Sequence, residues 1–167
     1  MNKQLTCTPE QVHKWKPCDR KRGEKYSPAN LRKLYASHGK TRATALDIIG
    51  WQEIPVDDRF WAVLREDLIP SKILHEFACR EAHRALMAER KAGREPDPRS
   101  WAAIQIKRQW LRDAATDAQL AAALSAVWSV AWLVACEAAR DVAREAQITR
   151  LRRMLMRAYI DTARGEK

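Results

Sequence analysis

The stretch that decides the fold is TDAQLAAALSAVWSVAWLVACE, residues 116–137. Between its Asp and its final Glu lie nineteen residues without a charged side chain, and seven of these are Ala. Ala and Leu are the strongest helix formers, and Thr116 followed by Gln119 forms a capping box that marks a helix start. Because neither Pro nor Gly occurs between Thr116 and Gly165, we expect one long helix from Thr116 to about Ala163.

The same uncharged run has an alternative interpretation as a membrane span. Nineteen residues can cross a bilayer, but about half of this run is Ala, Ser and Gln, which contribute little insertion energy. The larger side chains instead follow a 4-3-4-3-4 spacing that favours packing on neighbouring helices. These positions are Leu120, Leu124, Val127, Ala131, Val134 and Ala138. We therefore predict a buried central helix, with Trp128 and Trp132 mostly buried beside the stripe.

Proline at a first helical turn divides the rest of the chain into further helices. Such starts occur at Pro9, Pro28, Pro55, Pro70 and Pro98. Thr41 is the expected cap of a short helix ending at Gly50, and the helix from Pro55 is expected to reach Leu68. No segment alternates apolar and polar residues for long enough to form a strand. The predicted fold class is all-α, a single-domain helical bundle of about six to seven helices with one long C-terminal helix.

Positive charge is concentrated near the N-terminus. The chain has 31 Lys and Arg against 21 Asp and Glu, a net charge of +10. Residues 1–42 hold eleven of the cations and three of the acids, a balance of +8. We divide the chain into a basic N-terminal segment with a short helix, residues 1–25, and a helical domain, residues 26–164, which we expect to fold without the segment. A basic segment attracts phosphates or an acidic protein surface; a solvated arm that maintains solubility is the alternative.

A second set of cations lies in the last third of the long helix. Arg150, Arg153 and Arg157 fall within about 60° of one another on a helix, away from the apolar stripe of Ile148, Leu151 and Leu155. A solvated face near a helix C-terminus is the alternative to a partner surface. The predicted partner-binding residues, for an acidic protein or a nucleic acid, are Lys14, Lys16, Arg20, Lys21, Arg22, Lys25, Arg150, Arg153 and Arg157.

Two groups of residues have the donor types of a metal site but lack its usual spacing. His75-Glu-Phe-Ala-Cys79 resembles the zinc-protease helix, yet Cys stands where the second His is needed. His75, Cys79 and His83 share one helix face, where a buried thiol is also ordinary core. Cys7, His13 and Cys18, with His38, form a looser set without the tight knuckles of structural zinc sites. We predict no metal and no cofactor.

The sequence contains no catalytic motif. It has no glycine-rich phosphate loop, no Gly-x-Ser-x-Gly and no cysteine in the context of a nucleophile, so we predict that the chain is not an enzyme. Residues 1–10 contain no apolar stretch, so no signal peptide is expected. Four cysteines without a secretory signal are typical of cytosolic thiols, which predicts a cytoplasmic protein.

Several segments, in order, resemble a known family. They are WKPC (15–18), PVDDRFWAVLR (55–65), LHEFACREAHRAL (74–86), PRSWAAI (98–104), WLRDAAT (110–116), and the Ala/Trp-rich helix ending in AREAQ (143–147). The family comprises small all-helical, Ala/Trp-rich proteins of bacteria and tailed phages, many of which are labelled immunity proteins of polymorphic-toxin systems. The resemblance covers most of residues 12–160 and consists mainly of packing positions. It implies a helical fold and a toxin-neutralising role, without assigning functional residues.

These features together favour a non-enzymatic inhibitor that binds and neutralises a macromolecular target. The target would be a toxin, or a host defence complex blocked by a phage factor, and an acidic protein surface is the expected partner. The alternative is a nucleic-acid-binding protein that uses the basic N-terminal segment. In that case Trp15, Tyr26 and Tyr35 would stack on unpaired bases, unless they are core anchors of the short helices. Neither a membrane nor a small-molecule ligand is expected.

Overall fold

The computed structural model describes residues 5–16, 24–128 and 140–164, without the side chains of 126–128 and 140–143. These ranges contain eight helices: α1 (Pro9–Lys14), α2 (Pro28–Ser37), α3 (Ala45–Gly50), α4 (Val56–Val63), α5 (Ser71–Lys91), α6 (Pro98–Trp110), α7 (Asp117–Trp128) and α8 (Arg140–Arg164). Extended pairing in the same ranges is limited to an isolated antiparallel bridge between Cys7 and Ala43. The all-α class is therefore confirmed, and α7 and α8 both fall within the single long helix that the sequence predicted.

Most helix starts lie where the caps predicted them. Thr8 caps α1 in a complete capping box, and the Thr116 hydroxyl accepts a hydrogen bond from the Gln119 backbone N–H at 3.2 Å at the start of α7. The prediction of Thr41 as the α3 cap is wrong. Thr44 is the cap, because Asp47 stands three residues later and completes a capping box with it.

Helix α4 ends at Val63, five residues before the predicted end. Leu64 leaves the helix with ψ 61°, and the chain then turns so that both Leu68 and Ile69 are fully buried. In a continued helix these two neighbours would point about 100° apart. The turn allows both side chains to enter the core, and tertiary packing therefore overrides the helical pattern here.

The described contacts divide the chain into two compact units. Unit 1 comprises Met1–Pro70 and Ile148–Lys167, and unit 2 comprises Ser71–Gln147. In unit 1 the Tyr35 ring packs edge-on against Trp51, with 5.0 Å between ring centroids. The predicted apolar stripe of α8 also belongs to this core, since Ile148, Leu151 and Leu155 are at most 2% exposed.

The first helix of the chain contributes to the core of unit 1. The Cys7 and Ala43 backbones exchange two hydrogen bonds of 2.9 Å. The Cys7 thiol is hydrogen-bonded to the Tyr35 hydroxyl at 3.2 Å, and Val12 is buried. The domain boundary at residue 25 stays a prediction, but these contacts cross it and connect the two predicted parts.

Unit 2 contains α5, α6, α7 and the first residues of α8. The Trp110 indole N–H donates to Asp117 Oδ1 at 2.7 Å and thereby joins the end of α6 to the start of α7. In α7, Leu120 is buried as predicted, whereas Leu124 is 41% exposed. The prediction for Leu124 is wrong because burial requires a neighbouring helix at the height of each residue, which periodicity does not report.

The predicted long helix is represented by α7 and α8. The continuity between them, Trp132 and the Trp128 side chain lie outside the described residues. Among the helices that the structure describes, none combines the length and the apolar character needed to span a membrane.

Candidate functional site

The basic N-terminal segment is described at its two ends. Lys14, Lys16 and Lys25 are exposed, and the structure does not describe the predicted site residues Arg20, Lys21 and Arg22. Lys25 Nζ lies 3.6 Å from Asp58 Oδ2 and 5.0 Å from the centroid of the Tyr26 ring.

One end of the segment is fixed by a cluster of two tryptophans and an arginine. The Trp15 indole, just after α1, packs edge-on against Trp61 of α4, with 6.5 Å between centroids. The Arg65 guanidinium carbon lies 4.8 Å from the centroid of the Trp15 ring and 4.4 Å from that of Trp61. Each such cation–π contact contributes about 0.5–1 kcal/mol at an exposed site, so the cluster attaches the end of α1 to α4.

The other end of the segment is fixed to the same helix. The Tyr26 hydroxyl donates a 2.6 Å hydrogen bond to Asp58 Oδ2, and Asp58 precedes Trp61 on α4 by less than one turn. The His13 ring Nδ1 lies 3.4 Å from the Tyr26 carbonyl oxygen. Both described ends of the basic segment are therefore held on α4, through Asp58 and Trp61.

The three aromatic residues predicted to lie among the cations have different environments. Tyr35 is 2% exposed, so it is a core anchor and not a stacking platform. Burial raises the pKa of its hydroxyl. Trp15 and Tyr26 are half-buried, and both are engaged with α4 as described above.

The arginines of α8 lie on the side opposite its buried stripe. Arg153 and Arg157 are exposed, whereas Arg150 is half-buried. Sequence reasoning missed two neighbours on the same exposed side, Met156 and Ile160, which are each 46% exposed. The signal was present in the spacing, because both residues fall outside the stripe defined by Leu151 and Leu155.

Charge and ion pairing differ between the units. Unit 1 holds nineteen Lys and Arg against eleven acids, a balance of +8, and unit 2 holds twelve against ten, a balance of +2. Five arginines of unit 2 pair with an acid nearby in sequence: Arg80, Arg84, Arg90, Arg94 and Arg99. Within the described chain, no ion pair involves Lys14, Lys16, Arg153 or Arg157. These four exposed cations are thus available to a partner.

The histidines of α5 pack against tryptophans of α6. The His75 ring meets Trp110 edge-on at 5.3 Å and the His83 ring meets Trp101 at 5.5 Å. Cys79 between them is buried, and burial raises the pKa of its thiol. This stripe therefore serves as packing between two helices.

The looser set of possible metal ligands is also dispersed among other contacts. The Cys7 thiol is hydrogen-bonded to the Tyr35 hydroxyl, and the His38 ring stacks on Trp51 with 4.6 Å between ring centroids. Cys18 lies outside the described residues. Across residues 5–16, 24–128 and 140–164, no three His, Cys, Asp or Glu side chains are grouped closely enough to hold a metal ion.

Comparison with known proteins identifies no relative of this chain. No protein-family model, no curated protein and no solved structure matches the chain. The resemblance to immunity proteins stays a prediction, and the features that bear on function are the two basic surfaces of unit 1.

Proposed function

We propose that this chain is a non-enzymatic binding protein that neutralises a macromolecular target with an acidic surface, as a toxin-immunity protein or a phage anti-defence factor would. The observation that carries the proposal is the charge excess of unit 1, with exposed cations that have no ion pair in the described chain. Unit 2 also exposes unpaired cations such as Arg108, but its ten acids nearly balance its charge.

The physical role of such cations is to attract and orient a partner. Uncompensated charge on one part of a protein steers an oppositely charged surface and raises the association rate. Attachment of Trp15 and Tyr26 to α4 supports this role for the neighbouring Lys14, Lys16 and Lys25, since groups that are already ordered lose less conformational entropy on binding.

Nucleic-acid binding by the basic segment is supported less well. Base stacking needs an accessible aromatic face, yet Tyr35 is buried, and Tyr26 is half-buried with the Lys25 ammonium over its ring. Phosphate contacts alone would give an affinity that falls steeply as salt rises. We therefore treat nucleic acid as an outcome of the test below.

The test is affinity capture from the organism that encodes the chain, with matched charge reversals. The first variant combines Lys14→Glu and Lys16→Glu in unit 1. The control combines Arg80→Glu and Arg84→Glu in unit 2, which changes the net charge equally. We expect the wild type and the control to retain one acidic protein that the unit 1 variant loses, and the wild type to relieve that protein's toxic or inhibitory effect on co-expression.

Three results would contradict the proposal. Equal capture by the unit 1 variant would remove the basic segment from the interface. Loss of all capture after nuclease treatment would indicate a nucleic acid. A captured protein whose activity is unchanged by the chain would leave binding without neutralisation.

A further inference from the structure

The exposed side of α8 carries a continuous row of arginines and large apolar side chains. We define the α8 stripe as Arg153, Met156, Arg157, Ile160 and Arg164, all of which are exposed. Their spacing is i, i+3, i+4, i+7 and i+11, which places them within a sector of about 100° on one helix face. We propose that the α8 stripe docks an acidic amphipathic helix of the target, an inference that rests on the proposed function only for the acidity of that target.

The composition of the stripe is that of a protein interface. Met and Arg are enriched at interfaces relative to other surfaces, and Met adapts its shape to different partners. Met156 and Ile160, at 46% exposure each, lie one turn apart and offer the apolar contact. No ion pair in the described chain joins Arg153, Arg157 or Arg164 to an acid, including Asp161 one turn after Arg157.

The opposite side of α8 holds the stripe in place. Ile148, Leu151 and Leu155 are buried in the core of unit 1. The helix backbone beneath the first part of the stripe, Arg153 to Arg157, is therefore fixed before a partner arrives, which lowers the ordering cost of binding.

An acidic helix fits these residues better than other occupants. A second copy of the chain would bring two arginine rows together, and like charges repel. A nucleic acid would use the arginines but would leave Met156 and Ile160 in water. A partner helix can place apolar side chains between the ridges of α8 and carboxylates beside its arginines, as in helix-in-groove recognition.

The test uses a synthetic helical peptide of three heptads, with Leu at positions a and d and Glu at positions e and g. The Glu positions also disfavour self-association of the peptide. Binding to the full chain is followed by NMR of ¹³C-labelled methionine methyl groups. Met156 reports the stripe, and Met87 of unit 2, which is also 46% exposed, is a matched control.

We expect saturable shifts of the Met156 methyl resonance and none of Met87. The same peptide with Lys in place of Glu should produce no shift. The double variant Arg153→Glu with Arg157→Glu should bind the acidic peptide at least tenfold more weakly. Since both arginines are exposed, the far-UV circular dichroism spectrum of this variant should match that of the wild type. The comparison of the two peptides uses the wild-type protein alone and does not depend on the variant.

The inference is overturned if Met156 does not shift, if Met87 shifts equally, or if the Lys peptide binds as well. It is also overturned if Met156 responds only to anionic lipid vesicles, to duplex DNA, or to the protein's own concentration. These failures are distinct from failure of the proposed function, which depends on target capture through Lys14 and Lys16.

Discussion

The two units of this chain differ in how they use their side chains. Of the 23 buried apolar residues in the described part, eighteen belong to unit 1 and five to unit 2. Unit 1 buries large side chains from distant parts of the chain, including Tyr35, Trp51 and Leu155. Unit 2 relies more on packing between neighbouring helices and on local ion pairs of Arg with Glu or Asp.

This difference shows that, among the described residues, the unit with the charge excess also holds most of the buried apolar side chains. The described cations of unit 1, such as Lys14 and Arg153, therefore lie on helices that also bury apolar side chains. Ion pairs on the surface of unit 2, such as Arg90 with Glu95, contribute little stability because both charges are solvated. Changes in unit 1 should consequently have larger effects on both stability and binding.

The largest expected effect is that of removing residues 1–16. Their loss would expose the pocket of Val12, break the Cys7 contacts and remove Trp15 from α4. Since burial of a Val side chain contributes about 1.5–3 kcal/mol, we expect a loss of about 3–5 kcal/mol in the free energy of unfolding, measured by urea denaturation. This revises the sequence-based expectation that the domain folds without the segment.

The control for that deletion is Lys14→Ala combined with Lys16→Ala. It removes charge from the same segment but leaves Val12 and Trp15 in place, so stability should change by less than about 0.5 kcal/mol. A truncated protein as stable as the wild type would show that the first helix is not part of the core.

The next effect compares one leucine from each unit. Leu155→Ala in unit 1 should reduce the free energy of unfolding by about 2–5 kcal/mol because it leaves a cavity in a closed core. Leu124→Ala in unit 2 should change it by about 0.5 kcal/mol or less, since that side chain is 41% exposed. An equal decrease of the melting temperature in the two variants would contradict the proposed difference between the units.

A smaller effect is expected at the buried hydrogen bond of unit 1. Tyr35→Phe removes the hydroxyl that lies 3.2 Å from the Cys7 sulfur and should reduce stability by about 0.5–1.5 kcal/mol. The Cys7 thiol has its pKa raised by burial, so it should react slowly with a thiol reagent at neutral pH. Faster labelling of Cys7 in Tyr35→Phe, assayed by mass spectrometry, would show that the hydrogen bond restrains this site. An unchanged melting temperature would contradict the expected loss of stability.

The smallest effect concerns acid and the ion pairs of unit 2. Hydrogen bonds from Arg94, Arg90 and Arg99 lower the pKa values of Glu89, Glu95 and Asp97, respectively. A lowered carboxyl pKa adds stability above the unfolded pKa, and this is lost as pH falls through the folded value. We therefore expect a slight loss of stability below about pH 4. The side-chain carboxyl shifts in NMR, followed against pH, should report the lowered pKa values of these three groups. Titration of all three at ordinary values would indicate that the pairs do not form in solution.

Much of the fold was predictable because its signals are local. The capping boxes at Thr8 and Thr116 and the apolar spacing of α8 each depend on residues within a few turns. Apart from the cap of α3, which is Thr44 and not Thr41, the errors occurred where distant contacts decide the outcome. Leu68 and Ile69 leave the helical pattern to enter the core, and Leu124 is exposed although its spacing matches that of buried Leu120.

The candidate site was predictable only in part. Arg153 and Arg157 were found from helical spacing and net charge, but Met156 and Ile160 were not, because an apolar residue in a helix is expected to be buried. The role of Trp15 as an attachment to Trp61 and Arg65 depends on side chains that are far apart in sequence. No local pattern reports such a contact.

The sequence by itself determined the all-α class, most of the helix starts and the concentration of positive charge, since capping, helix propensity and charge depend on each residue and its near neighbours. Only the tertiary structure decided that Cys7 and Val12 belong to a core, that Tyr35 is buried, and that the α8 stripe faces outward. Burial and ion pairing depend on which side chains that are distant in sequence come into contact. Those contacts decide which surfaces remain exposed to a partner.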